Sequence, residues 1–338
     1  MGDKALNQAI HSLRPQGVYI ILAYYLFTPV NDPYAEVAAH KEFFCGRDVT
    51  CRIYISEEGI NGQMCAEQRD AEAYMAWIAS HPIFSSLHFK LTTYSHQVFP
   101  RVTVKYRKQL VAIDAKVQLS KGGEYLLPQQ WKQWLRDGKK HVMLDVRNNY
   151  EWKVGHFTGA EEPPCTSFRD FNRYVDELAK KIDSTDVPVL MYCTGGIRCE
   201  VYSVLLKERG FANIYQLKGG VIHYGEQVGN DFWRGKLFVF DDRLTVSLQG
   251  EGKAEVIGRC HHCEGSIEDY YNCANMDCNE LFLCCEGCLQ EYCGCCRTPC
   301  LSAPRLRPLA EQQPHAPFQR WHHYFMTKPK APRHIEER

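Results

Sequence analysis

The chain has 338 residues, 40 basic and 40 acidic side chains, a formal net charge of zero and 45% hydrophobic residues. At roughly 150 residues per domain, that length suggests two or three domains, and the apolar content suffices for more than one core. Balanced charge excludes a global polycation, so any nucleic-acid contact must come from a local basic surface.

The N-terminus has no signal-peptide layout. The apolar stretch 18–27 is of strand length, runs into Thr28-Pro29, and falls short of the roughly 20 residues a membrane helix needs. The expectation is a cytoplasmic protein with no membrane span, where thiols stay reduced. Of the 17 cysteines, most crowd between Cys260 and Cys300. The scattered Cys45, Cys51, Cys65 and Cys165 read as buried small apolar residues.

The first segment reads strand, helix, strand, helix, strand. An apolar run predicts a buried strand over 18–22, and 36–44 has helical character. Alternation over 51–55 gives a second strand, and the turn Glu58-Gly59-Ile60-Asn61-Gly62 sends the chain back through 63–65. Residues 69–80 place Ala71, Met75 and Ile78 on one helical face, closed by His81-Pro82. Strands over 89–94 and 102–106 complete a small α+β unit, 1–114. Arg101, Lys105, Arg107 and Lys108 fall here with His96, Phe99 and Tyr106. Interleaved cations and aromatics suit phosphate contact and base stacking; a solvated strand face is the plainer account.

Residues 115–123 read as a linker. From Leu127-Pro128 the pattern becomes strand over 142–146, helix over 168–181, strand over 188–192, helix over 200–209 and strand over 214–217 before Gly219-Gly220. Such alternation implies an α/β domain, 124–229, with a parallel sheet and helices on both faces. Catalytic groups in these sheets sit at the carboxyl ends of strands, and Cys193 lies there. A Cys-rich module, 230–303, and a Pro-, Arg- and His-rich tail, 304–338, follow. In the tail Arg305, Arg307 and Arg320 with Trp321 offer a second candidate RNA surface.

Cys193 heads the loop Cys193-Thr194-Gly195-Gly196-Ile197-Arg198, with a helix expected just after Arg198. Backbone N–H groups in such a loop can converge on one point, and the helix N-terminus adds positive potential. Thr194, Gly195, Gly196 and Ile197 form the active loop, and Arg198, which adds a fixed cation, is with Cys193 a candidate catalytic residue. Together they stabilise a thiolate or persulfide at Cys193. Phosphatase loops place the arginine one residue later, so the tighter cradle here favours sulfur chemistry. Cys199 either resolves a persulfide or disulfide on Cys193 or packs under the helix.

In the module, Cys260-x2-Cys263, Cys273-x4-Cys278, Cys285-x2-Cys288 and Cys296-x3-Cys300 form four pairs, enough for two structural tetrahedral zinc sites. Interleaved and sequential pairings are both chemically legal. Cys284, Cys293, Cys295, His261 and His262 leave the ligand sets open, and an iron–sulfur cluster is the rival occupant.

The segments Leu144-Asp145-Val146-Arg147, Tyr150-Glu151 and Gly155-His156-Phe157-Thr158-Gly159-Ala160 look like the rhodanese signature upstream of the active loop. With Tyr24-Tyr25-Leu26-Phe27, Glu57-Glu58-Gly59-Ile60-Asn61-Gly62, Val104-Lys105-Tyr106-Arg107, Gly219-Gly220-Val221, 238–243 and the cysteine module, the chain resembles the TrhO/YceA family of rhodanese-like tRNA uridine hydroxylases over nearly its whole length. The resemblance implies an acylphosphatase-like (ferredoxin-like) first domain and a structural role for Asp145, Arg147 and His156. It also implies oxygen-dependent, monooxygenase-type 5-hydroxylation of the wobble uridine in the anticodon stem-loop of tRNA, with Cys193 required and dioxygen as co-substrate. Without the resemblance, the loop supports a persulfide sulfurtransferase using a sulfur donor or reductant, and the module alone supports a non-catalytic zinc-organised RNA-binding protein. The sequence carries no flavin, haem or nicotinamide motif.

Overall fold

The computed structural model describes residues 18–113, 117–165, 170–182, 186–248 and 254–309. The chain divides into two compact units between Lys116 and Val117.

The first unit is a five-stranded sheet backed by two helices. Its strands are β1 (Tyr19–Phe27), β2 (Val49–Ser56), β3 (Gly59–Glu67), β4 (Lys90–Tyr94) and β5 (Val102–Tyr106), in the order β4-β1-β3-β2-β5. All pairs are antiparallel except β2 with β5. Helices α1 (Pro33–Phe44) and α2 (Gln68–Ala79) follow β1 and β3. The apolar sets of Leu22, Ile53, Ile55 and Met64 meet Tyr74, Ile78 and Phe84 in one core. A smaller cluster of Ile21, Cys65, Val98 and Phe99 forms elsewhere in the unit, as period-2 alternation requires of neighbours such as Ile21 and Leu22. Cys45 departs from expectation. It is exposed because it is the C-cap of α1, its N–H turned back to the Glu42 carbonyl.

The second unit holds a four-stranded parallel sheet, β6 (Glu124–Leu126), β7 (Val142–Asp145), β9 (Val189–Tyr192) and β10 (Ile214–Leu217), in the order β6-β10-β9-β7. Helices α3 (Pro128–Arg136), α5 (Asp170–Lys181), α6 (Ile197–Glu208) and α7 (Gly220–Val228) accompany it. Between β7 and α5 come a one-turn helix, α4 (Asn149–Trp152), and β8 (Gly155–Phe157), which pairs with β11 (Trp233–Gly235). Phe157 is fully buried among Tyr192, Tyr224 and Trp233, each ring edge-on to it at 4.9–5.2 Å between centroids. The chain continues through a short ladder, β12 (Leu237–Phe238) with β13 (Thr245–Val246), into the cysteine module. There a hairpin, β14 (Tyr270–Asn272) with β15 (Leu281–Leu283), precedes α8 (Glu286–Glu291). Val154, Phe238, Leu244, Tyr270 and Leu283 share one core, and the Tyr270 hydroxyl donates to the Tyr150 carbonyl. The module is therefore packed onto the segment that carries α4. Among the described residues no helix is long and apolar enough to cross a membrane.

Candidate active site and metal centres

Four consecutive buried residues, Val189 to Tyr192, deliver Cys193 from the carboxyl end of β9. Helix α6 begins at Ile197 rather than after Arg198, because Gly196 takes the left-handed conformation (φ 105°) as its N-cap. Arg198 thus lies in the first turn. The Gly196 N–H donates to Cys193 Sγ at 3.1 Å. Burial alone would push this thiol up, but the Cys199 thiol, the Arg198 charge and the N–H groups of Cys199 and Gly196 outweigh it, bringing Cys193 down to about 5. Burial and then the Cys193 sulfur push the Cys199 thiol well up, so it stays protonated as a donor.

The loop is held from two sides. On one, Glu151 of α4 is fully buried and grips Arg198 in a two-bonded fork, Nη1 to Oε2 at 2.6 Å and Nη2 to Oε1 at 2.9 Å. The same carboxylate accepts from Thr194 Oγ1 (2.9 Å) and from the Asn148 N–H (3.0 Å). On the other, the first turn of α7 spends its otherwise unpaired N–H groups on loop carbonyls, Val221 to Cys193 at 3.0 Å and Ile222 to Thr194 at 3.1 Å. Gly220 (φ 70°) permits this approach, since a Cβ there would lie 2.6 Å from the Cys193 carbonyl oxygen. Neither Glu151 nor Gly220 is assigned a role by the sequence reading; the signal available for both is their place in the family motifs.

Asp145 and Arg147 form a buried pair. Arg147 Nε and Nη2 donate to the carboxylate at 2.9 and 2.6 Å, and Nη2 also reaches the Gly155 carbonyl at 2.6 Å, locking β7 to β8. The guanidinium lies over the rings of Tyr192 and Trp233. His156 stacks on Trp152 at 3.9 Å and bonds its carbonyl through Nδ1 at 2.9 Å.

The eight paired cysteines gather into two groups, Cys260, Cys263, Cys285 and Cys288, and Cys273, Cys278, Cys296 and Cys300, with the sulfurs of each within 4.8 Å of one another. This is the interleaved pairing. The hairpin enforces it: Cys273 follows β14 toward the turn, whereas Cys285 lies just past β15 at the open end. A tetrahedral ion with Zn–S of about 2.3 Å needs sulfurs about 3.8 Å apart. Cys263 and Cys285 are 3.7 Å apart and Cys278 and Cys296 are 3.6 Å apart, so the donor sets fit zinc. The Cys285 N–H reaches Cys260 Sγ and the Cys296 N–H reaches Cys273 Sγ, each at 3.4 Å, so both sites have the same backbone support. Cys284 and Cys295 are buried outside these groups, and Cys293 is exposed. His262 stacks on Tyr292 and bonds the Cys295 carbonyl instead of joining a site.

Of the basic residues, Arg101, Lys105, Arg107 and Lys108 are exposed in and around the edge strand β5. Arg107 covers the Tyr54 ring at 4.8 Å. Phe99 is buried, so it cannot stack a base. Arg307 is also buried and donates to the Cys273 carbonyl and Asn279 Oδ1, while Arg305 pairs with Asp277. Arg307 therefore serves the module's own packing, whereas Arg305 is exposed in a surface ion pair. Arg320 and Trp321 lie outside the described residues.

Three family descriptions match the chain in order: "UPF0176 acylphosphatase like domain" over 19–110, "Rhodanese-like domain" over 127–226 and "Rhodanase C-terminal" over 234–301. A protein of Protochlamydia amoebophila called tRNA uridine(34) hydroxylase is 54% identical, covering 91% of this chain and 96% of its own length. Proteins of the same name from Chlamydia trachomatis serovar L2 and Chlamydia abortus are 52% and 51% identical, covering 90% and 92% of this chain and 93% and 96% of their own.

Proposed function

The chain belongs to the tRNA uridine(34) hydroxylase family, and on that footing we propose that it hydroxylates carbon 5 of the wobble uridine of tRNA in the cytoplasm, with Cys193 as its catalytic thiolate. The observation that carries the catalytic assignment is the buried Cys193 sulfur, held by the Gly196 N–H at the head of α6. A thiolate prepared in this way is a nucleophile and an electron donor at neutral pH.

Arg198 and Glu151 act through the loop, as positioning residues. With dioxygen as co-substrate, one oxygen atom enters the uracil ring and the other leaves as water, which takes two electrons and two protons. The Cys193 thiolate and the Cys199 thiol supply both electrons and one proton when they close to a disulfide, and solvent supplies the second proton, which gives Cys199 the resolving role; an external thiol then restores both. Arg101, Lys105, Arg107 and Lys108 take phosphates of the anticodon stem-loop. Zinc, held by the two four-cysteine groups, supplies cross-links that the small apolar content of the module does not.

The loop geometry favours persulfide sulfur transfer as a second reading, because the same N–H donors would hold a persulfide anion. The test is nucleoside mass spectrometry of tRNA from cells lacking the protein, complemented under isotopically labelled dioxygen. Wild type should restore labelled 5-hydroxyuridine and Cys193→Ala should not. Unlabelled product would remove dioxygen as the oxygen source, and thiolated uridine in its place would favour sulfur transfer.

A further inference from the structure

The two cysteine groups share a backbone plan but not a charge. Cys285 and Cys296 occupy equivalent places, each turning its N–H to a sulfur of its own group, Cys260 and Cys273 respectively. The residue that follows is Glu286 in the first group and Arg297 in the second, and both are exposed. Four thiolates around a divalent ion leave a net charge of about −2, so neighbours of opposite sign act in opposite directions.

Arg297 meets that charge directly. Its Nη2 donates to Cys278 Sγ at 3.6 Å. Cys278 is the partly exposed member of the second group, the other three being buried, so the guanidinium lies on the sulfur that solvent can reach. A carboxylate oxygen, Glu280 Oε2, lies 3.4 Å from Cys296 Sγ, and Arg297 offsets it as well. In the first group Cys263 is exposed and Cys285 partly so. The sulfurs of this group take backbone N–H groups and contact one another. Glu264 and Glu286 follow Cys263 and Cys285 in sequence, and Arg259 donates to Ser266 Oγ instead of to a sulfur.

The first group is also the one beside the active-site scaffold. Leu283, two residues before Cys285, pairs with Tyr270 and shares a core with Val154 and Phe238. The His261 N–H, next to Cys260, donates to the Leu283 carbonyl at 2.8 Å. The Tyr270 hydroxyl in turn donates to the Tyr150 carbonyl, one residue before Glu151.

We propose that the two sites are unequal: Arg297 makes the second group the firmly held zinc site, whereas the first group exchanges its zinc and so loosens or tightens the α4 segment that braces the active loop. The inequality holds whatever reaction Cys193 performs.

The experiment titrates full-length, zinc-loaded protein with a competing chelator; cysteines freed at each step are alkylated and identified by peptide mass spectrometry. Cys263 and Cys285 should become labelled as the first ion leaves, Cys278 and Cys300 with the second. Amide exchange over 149–152 should rise with the first loss while 273–278 stays protected. Arg297→Ala should weaken the more tightly held ion about 10- to 100-fold, the range for removing a hydrogen-bonding partner of a metal ligand, and leave the other unchanged. Arg297→Lys should weaken it less, because the charge remains. Labelling of Cys278 and Cys300 first, or of all four cysteines together, overturns the proposal, as does an unchanged second ion in Arg297→Ala. Unchanged exchange over 149–152 overturns the link to the active loop. If the protein takes up no zinc, the metal reading itself falls.

Discussion

The guanidinium of Arg198 and the carboxylate of Glu151 meet as a two-bonded fork across 47 residues of sequence, both shielded from water. Cys193 therefore faces an ion pair rather than an isolated cation. Glu151 restrains Arg198 in position and also reduces its field at the sulfur. Burial pushes the Glu151 carboxyl up, but Arg198 overrides it and holds the group below its usual range.

Breaking a buried pair of this kind by removing one partner destabilises by about 3–5 kcal/mol, so Glu151→Ala should lose about that much in denaturant unfolding. Glu151→Gln keeps the shape but leaves Arg198 with no carboxylate. The Cys193 thiolate then becomes its nearest anion, and Cys193 should ionise at lower pH than in wild type. Arg198→Ala should move the same midpoint upward. Shifts in one common direction would contradict this division of roles.

The ionisation itself is measurable as ultraviolet thiolate absorbance, wild type less Cys193→Ser. The midpoint should lie near 5, against an ordinary value of 9.0 for a cysteine. A folded-state value below the unfolded one means stability fully present above about 9 and lost as pH falls towards about 5. Across that window Cys193→Ser should flatten the pH dependence of unfolding free energy, and hydroxylation should persist well below neutrality.

The metal sites predict a counting rule. Elemental analysis should find two zinc ions per chain, one for each group of four cysteines. Cys260→Ser with Cys285→Ser should lose one ion, because both belong to one group, whereas Cys260→Ser with Cys273→Ser should lose both. Strong chelation should unfold the module and raise amide exchange in β14, β15 and α8, leaving the first unit's sheet protected.

His40 predicts an acid sensitivity in the first unit. It is fully buried. Burial, the largest influence, brings its imidazole down from 6.5 to about 4. The unfolded chain thus binds the extra proton first, so stability falls as pH drops from about 6.5 towards 4. His40→Phe should remove most of that slope, read from denaturant midpoints between those limits.

The active loop is legible in the sequence because its parts are local: an apolar strand, a cysteine, two glycines and an arginine within ten residues. Glu151 is harder to find, since its partners Thr194 and Arg198 lie 43 and 47 residues away and a lone glutamate has no periodic signature. Spacing identifies eight cysteines but leaves their partition open. That depends on which end of the β14–β15 hairpin each pair occupies, a three-dimensional property. Phe99 and Arg307 read as RNA-facing from composition, yet both are buried. Burial is decided by what packs against a residue, and neither side chain's type reveals that.

The central claim is that the Cys193 thiolate is needed for hydroxylation of the wobble uridine. Its most direct test incubates purified wild-type and Cys193→Ala proteins, each with zinc and fold verified, with the same unmodified tRNA under oxygen and a thiol reductant. Nucleoside mass spectrometry then counts 5-hydroxyuridine at position 34. The account predicts accumulation with wild type and none above background with Cys193→Ala. Equal product from both proteins would contradict it.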